Sequence, residues 1–399
     1  MKKICFILPN CLPVPAVKGG AIETLVESLI EENEQKKLID ITCVSLYDEE
    51  AYLKSKEYKH SKFVFIKEKL FGCLPVKTVI KRNIVNKVLN RLGFSPQKLY
   101  DKIVFSKIKN EKYDAIFIEG GDLLGYPSIM KIKDTIKVGR IHGPMPADDR
   151  YAIYDYLIGV SNYIGNILIT DKVPSSKIKT LYNGVNISKF DKKISIKDKN
   201  KLKEELGISK NDKVLIFCGR LAKEKGIKEL ILSFKIVLQS EPNTKLLVVG
   251  SSNFKENIRT SFEKELLDIS LDVLDNIKFT GFINNEELYK YYALADISVI
   301  PSMIPEAFCL VAEEAMACSL PIIASNIGAL PEIMNNTNCV FVENNKDFIE
   351  NYAKEIIALL NDKSKRKKMG ENSKKISYKY TTEKFYDNFC NIIDEIVGD

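Results

Sequence analysis

Residues 213–234 read KVLIFCGRLAKEKGIKELILSF, and this stretch decides the fold class. KVLIFCG is a short apolar run closed by glycine, which predicts a buried strand. GIKELILSF and the residues after it place Ile, Leu and Phe at helical spacing, which predicts a helix beginning near Gly226. A strand that is apolar on both faces, followed by a helix, belongs to a parallel sheet covered on both sides. Between them lie Arg220, just past the strand, and Lys225, before the helix. Two cations beside a helix N-terminus at a strand's carboxyl end suit a diphosphate. The competing reading is a solvated loop in a lysine-rich chain. No G-x-G-x-x-G accompanies the stretch, which counts against a nicotinamide or flavin fold.

Working outward, the pattern repeats. After it come TKLLVVG, NIKFTGF, DISVIPS, LPIIASN and NCVFVE as strands, with helical stretches between them. Before it, KICFIL, IDITCVSL, KFVFI, DAIFIEG, KVGRIHG, YLIGVS and IKTLYNG form an earlier series. A polar, lysine-rich linker follows Asn183. The chain therefore divides into two doubly wound α/β domains in tandem, expected at 1–190 and 191–380. A terminal helix, 381–399, is expected to pack back toward the first domain. Open α/β sheets take ligands at the carboxyl ends of their strands, so the cleft between two such domains is the natural site.

Composition sets the limits. The 399 residues are 45% hydrophobic, enough for two cores. The formal charge is only +7, but residues 62–109 hold twelve Lys or Arg against two acids, Glu68 and Asp101. Such a face fits something anionic: phosphate, nucleic acid or a lipid surface. Within it, Val79, Ile80, Ile84, Val85, Val88 and Leu89 mark one helical face, flanked by Lys81, Arg82, Lys87 and Arg91. With almost no aromatic groups for bases, this fits an anionic membrane surface better than nucleic acid; a core helix with a solvated basic side fits equally well. The nine cysteines are scattered, without C-x-x-C, and only His60 and His142 could add imidazole, so no zinc pattern assembles. They read as small buried hydrophobes of a reducing, cytoplasmic protein. The N-terminal MKKICFILPNCLPVP is too short in its apolar run for a signal peptide and reads as a first strand.

Two further stretches carry chemistry. VKGGAIETLVESL places Gly19 and Gly20 between the first strand and first helix, where the backbone can approach a ligand, though an ordinary turn explains them too. EAFCLVAEEAMA is expected to be a helix opened by Glu306, with Glu314 a little over two turns further on nearly the same face. Carboxylates in an apolar helix are costly unless partnered. Vicinal hydroxyls of sugars would partner them well. Glu313 points to another face and reads as a solvated or structural acid.

G-R-x4-K-G, E-A-F-C-L-V-A-E-E-A-M-A and L-P-I-I-A-S-N-I-G-A-L-P-E-I together resemble the GT4 family of retaining glycosyltransferases. The likeness runs from about Val214 to Glu332; in the first half it is carried by the Gly19-Gly20 loop, RIHG, GVS and LYNGVN. It implies the GT-B fold, two Rossmann-like domains facing across a cleft. It implies that Arg220 and Lys225 hold the donor diphosphate and Glu306 the sugar hydroxyls. Glu314 would hold the ribose, and the backbone at Ile283 would read the base. The amides of Phe308, Cys309, Leu310 and Val311 would face sugar and phosphate, and His142 would lie beside the donor sugar. Glu306, His142, Arg220 and Lys225 are thus the expected catalytic set. The chain departs from the family pattern at Cys309 and Ser319, where glycine is common, and at Gly143, where aspartate often stands. The implied reaction takes a sugar from a nucleotide diphosphate, UDP on family frequency, to a hydroxyl of a glycan, lipid-linked or protein acceptor. Cell-surface polysaccharide or glycoconjugate synthesis is the implied setting. No D-x-D motif points to a metal, and no cofactor is expected. Alternatives are a nucleotide-sugar epimerase or phosphorylase of the same fold, or a non-enzymatic basic protein binding membrane or nucleic acid.

Overall fold

The computed structural model describes residues 1–67, 96–144, 149–251 and 260–398. The basic helical pattern expected over Val79 to Arg91 lies outside the described residues. The chain forms two compact units: Met1–Tyr182 with Thr382–Asp399, and Asn183–Thr381. Asn183 to Phe190 therefore fall in the second unit, not the first. The reason is local: Phe190 sets its ring edge against Tyr292, and its carbonyl accepts from the Cys318 thiol.

Among its described residues the first unit has seven strands. They are β1 (Lys2–Ile7), β2 (Ile39–Leu46), β3 (Ser61–Ile66), β4 (Ala115–Glu119), β5 (Ile136–Ile141), β6 (Tyr156–Gly159) and β7 (Ile178–Thr180). All pair in parallel, in the order β3-β2-β1-β4-β5-β6-β7. The apolar N-terminal run is thus a central strand, its residues Ile4 to Ile7 fully buried. Phe6 and Phe117 meet Phe389 of the Thr382–Val397 helix, ring centroids 5.2–5.5 Å apart. Each such buried ring contributes about 2–3 kcal/mol. This is what fastens the last helix to the first unit.

The second unit repeats the plan with β8 (Lys213–Cys218), β9 (Thr244–Val249), β10 (Ile277–Gly281), β11 (Ile297–Ile300), β12 (Ile322–Ser325) and β13 (Cys339–Val342). Their order is β10-β9-β8-β11-β12-β13, again all parallel. Leu215, Phe217, Ile231, Phe234, Leu246 and Val299 are among the buried side chains between this sheet and its helices. Both sheets reverse their winding direction once, at β1/β4 and at β8/β11. At such a point neighbouring connections leave on opposite faces and open a crevice at the strands' carboxyl ends. Most of the sequence-predicted site residues lie on the loops and helices that follow β1, β5, β8 and β11; Ile283 instead follows the edge strand β10.

Candidate functional site

In the second unit, β8 delivers a short turn, Lys223–Lys225, and β11 delivers a loop containing Ser302 and Glu306. The two are held edge to edge. Met303 N–H donates to the Glu224 carbonyl at 2.9 Å. Gly226 has φ 69°, and a Cβ there would lie 1.8 Å from the Pro301 carbonyl oxygen. Glycine is therefore required by both conformation and space. Across this join the Lys225 ammonium contacts both Glu306 oxygens, at 2.7 and 3.0 Å. Ser302 Oγ adds a third bond to Glu306 Oε1 at 2.5 Å. Burial disfavours the Lys225 charge, but Glu306 outweighs it and holds the ammonium above the ordinary lysine range. Arg220 is exposed and pairs with Glu224 at 3.0 Å. The sequence reading placed these two cations at one diphosphate. In the structure each faces a carboxylate, and the Lys225 pair is the more enclosed.

The helix expected from Glu306 begins at Leu310 and ends at Ala317. Glu306 precedes it, in the loop, so Glu306 and Glu314 do not share a helix face. The physical reason is Glu306's backbone, which is committed elsewhere. Its carbonyl accepts from Ala329 N–H at 2.9 Å, and the missing Cβ of Gly328 would stand 2.4 Å from that carbonyl oxygen. Phe308 is buried with its ring edge-on to Tyr380. Cys309 caps the helix at φ 101°, a left-handed conformation unusual for a side chain with a Cβ. Leu310 and Val311 open the first turn, where N–H groups have no intrahelical acceptor. Their partial positive charge suits an anion. A cavity of about 30 Å³ lies here, lined by Gly219, Lys225, Ser302, Glu306, Cys309 and Val311, among others. Burial pushes the Cys309 thiol up to about 12, so it stays neutral beside any phosphate.

Glu314 accepts from the Tyr292 hydroxyl at 2.9 Å. Burial pushes its carboxyl up to about 7, and Tyr292 pulls the other way. Glu313 is not a solvated acid: it is fully buried, and neither oxygen has a partner among the described residues. Burial first, then the Glu314 charge, drives its carboxyl well above the usual range. Ile283 lies just past β10, partly exposed. Ser319 adopts φ 60° in a helix C-terminal motif, its N–H donating to Met316 and that of Leu320 to Ala315. Both positions where the resemblance implies glycine, 309 and 319, thus have the backbone that glycine favours.

In the first unit, Gly19 and Gly20 have φ 77° and 102° and lead into the Ala21–Lys36 helix. His142 follows β5 and meets Glu119, the last residue of β4, with Nε2 and Oε2 2.9 Å apart. Arg140, fully buried, reaches the same oxygen at 3.5 Å. Sequence reading selected His142 but missed Glu119 and Arg140. Their signal was a charged residue close to the carboxyl end of a strand: Glu119 closes AIFIE, and Arg140 stands next to last in IKVGRI. Of the cysteines, Cys5, Cys43, Cys218 and Cys339 are buried as expected of small hydrophobes, whereas Cys11 is exposed.

The fold and site define a two-unit parallel α/β chain with a cation and a carboxylate paired at a switch point, a place where such sheets take ligands. The comparisons narrow it. Residues 198–376 match the family model described as glycosyl transferases group 1. A protein of Methanocaldococcus jannaschii named uncharacterized glycosyltransferase MJ1607 is 32% identical over 280 residues, 67% of this chain and 68% of that protein. Spore coat protein SA of Bacillus subtilis is 26% identical over 94% of each chain. The structure of Anabaena Alr3699/HepE, solved with UDP and glucose, superposes with a TM-score of 0.75 at 20% identity, over 99% of this chain and 100% of that one. The chain belongs to the group 1 glycosyl transferases and is a GT4-like glycosyltransferase of the GT-B structural class.

Proposed function

We propose that this glycosyltransferase takes a sugar from a nucleotide diphosphate sugar, UDP by preference, and transfers it with retention to a hydroxyl of a glycan, lipid-linked or protein acceptor. The observation that carries the reading is the Lys225–Glu306 pair, set across the β8/β11 switch point beside the first turn of the Leu310–Ala317 helix. A diphosphate needs cations and free amides; a sugar needs a carboxylate that accepts from hydroxyls. Lys225 and Glu306 supply both within one hydrogen bond of each other. Glu314, which the family resemblance assigns to the ribose, would hold the nucleoside. That a structural neighbour was solved with UDP and glucose supports the choice of base.

In the reaction the bond from the sugar's anomeric carbon to the diphosphate oxygen breaks, and a bond to the acceptor oxygen forms. The acceptor proton passes to the departing diphosphate. Negative charge grows on that leaving group, and Lys225, Arg220 and the first-turn amides stabilise it where it develops. The test is a thermal-shift screen against UDP-, GDP- and ADP-sugars. Selective stabilisation by UDP-sugars is expected, by mass action; stabilisation by none of them sinks the reading.

No helix of the described residues is long and apolar enough to cross a membrane. We place the enzyme in the cytoplasm, with the basic stretch 62–109 docking on anionic lipid to bring it to a lipid-linked acceptor. Each engaged Lys or Arg contributes about 1 kcal/mol near such a surface. Co-sedimentation with anionic but not zwitterionic vesicles, weakened by salt, is expected. Indifference to anionic vesicles at low salt removes this part of the proposal.

A further inference from the structure

β4 and β5 are neighbours, and in their register Glu119 stands opposite Arg140. His142 comes two residues after Arg140, so strand alternation returns it to Arg140's side of the sheet. All three side chains meet there. Glu119 and Arg140 have no exposed surface, and His142 has little. The Arg140 guanidinium lies 4.9 Å from the centroid of Phe385, a buried ring of the Thr382–Val397 helix. Gly120, next in the chain, has φ 66°, and a Cβ there would lie 3.3 Å from His142 Cδ2 and 2.8 Å from Ile22 Cδ1. The ring edge carrying Cδ2 and Nε2 is thus seated against the end of β4.

Buried charges of this kind do not pay for themselves in stability. A well-packed apolar set of the same volume is often as stable or more so. Buried charged groups of shifted proton affinity at the carboxyl ends of parallel strands, where such sheets take ligands, are instead candidates for a functional site. The chemistry of the contact is directional. An ionised carboxylate only accepts hydrogen bonds, so the proton at the 2.9 Å contact is carried by His142 Nε2. Burial disfavours the Glu119 charge, but Arg140 foremost and then His142 reverse this and hold its carboxyl below the usual range. For His142, burial and then Arg140's charge outweigh Glu119, leaving the imidazole below its ordinary value and neutral near pH 7. From the Ala21–Lys36 helix the buried Glu23 adds its own carboxyl to the group, raised by burial and, less, by Glu119. A neutral imidazole with its proton on Nε2 has one remaining polar atom, Nδ1, with a lone pair.

We propose that Glu119 is a positioning residue for His142: it fixes the Nε2–H tautomer, with Arg140 keeping it ionised, so that Nδ1 is offered as acceptor to a hydroxyl of the sugar substrates. The last clause rests on the function proposed above; the tautomer does not.

The chain has only two histidines, and the other, His60, is exposed and serves as an internal reference. ¹⁵N-histidine labelling of the full chain reads both rings directly. At pH 7.5, His142 is expected to show a protonated Nε2 and an unprotonated Nδ1, and to take up its second proton only below the ordinary histidine range. In Glu119→Gln the tautomer preference is expected to relax toward that of His60. With donor and acceptor, kcat is expected to fall about tenfold to a hundredfold, with UDP affinity unchanged within about twofold. Glu119→Asp, which keeps the charge but shortens the reach, is expected to keep the tautomer and recover part of kcat. An imidazolium at pH 7.5, a proton on Nδ1, or an unaltered ring in a folded Glu119→Gln protein overturns the proposal. If UDP fails to bind the wild type, the functional reading falls instead, while the ring spectrum still decides the tautomer.

Discussion

Replacing Glu313 by leucine is expected to stabilise the protein, and more so as pH rises. Glu313 has no exposed surface and no partner for either oxygen among the described residues. Leaving a neutral polar group buried and unbonded costs about 1–3 kcal/mol, which leucine avoids. The pH dependence follows from linkage. Glu313's carboxyl is raised in the folded chain, by burial and then by Glu314. Above about pH 4.5 the unfolded chain has released this proton and the folded chain has kept it. At this position the folded state then binds more protons, so Glu313's contribution to stability declines as pH rises, by up to about 1.4 kcal/mol per pH unit until the folded group itself ionises. Leucine has no such slope. The gain of Glu313→Leu should therefore start near 2 kcal/mol at pH 5 and widen by up to about 2.7 kcal/mol by pH 7. Urea denaturation of both proteins at pH 5, 6 and 7 measures it, because groups not coupled to Glu313 cancel in the difference. A difference flat with pH would mean that Glu313 is ionised and satisfied.

Two other substitutions test separate parts of the account. Glu306→Gln should leave UDP affinity within about twofold but remove most turnover of the intact donor, since its proposed partners are sugar hydroxyls; equal loss of both assigns Glu306 to the nucleotide instead. Ser319→Gly should raise stability by about 1 kcal/mol, because Ser319 holds φ 60° at a helix C-terminus where glycine is unstrained; a lower melting temperature would contradict the strain argument.

How much could be read beforehand depends on how local each signal is. The thirteen strands of the described residues were legible because most are short apolar runs bounded by glycine or polar residues, and parallel sheets bury such runs on both faces. The start of the Leu310–Ala317 helix was not. EAFC has helical composition, but a left-handed Cys309 and the Glu306–Ala329 bond hold it as a loop, and neither follows from spacing. Lys225 and Glu306 could be chosen from motifs, yet their mutual ion pair depends on the β8/β11 adjacency. That Glu313 is buried rather than solvated could not be read, because helical phase alone cannot say what covers a face. Glu119 escaped because its meaning lies in its neighbours on β5, supplied by sheet register rather than by its own segment.

The central claim is that the β8/β11 crevice holds a nucleotide diphosphate, with Glu314 on the ribose. Isothermal titration of UDP into wild type and Glu314→Ala tests it most directly. At pH 8, where a Glu314 carboxyl raised to about 7 is mostly ionised, a charge-assisted hydrogen bond contributes about 1.5–3 kcal/mol, so the account predicts saturable binding to wild type and an affinity roughly tenfold or more weaker in the variant. Equal affinity in a folded Glu314→Ala protein, or no binding of UDP, GDP or ADP to wild type, would contradict it.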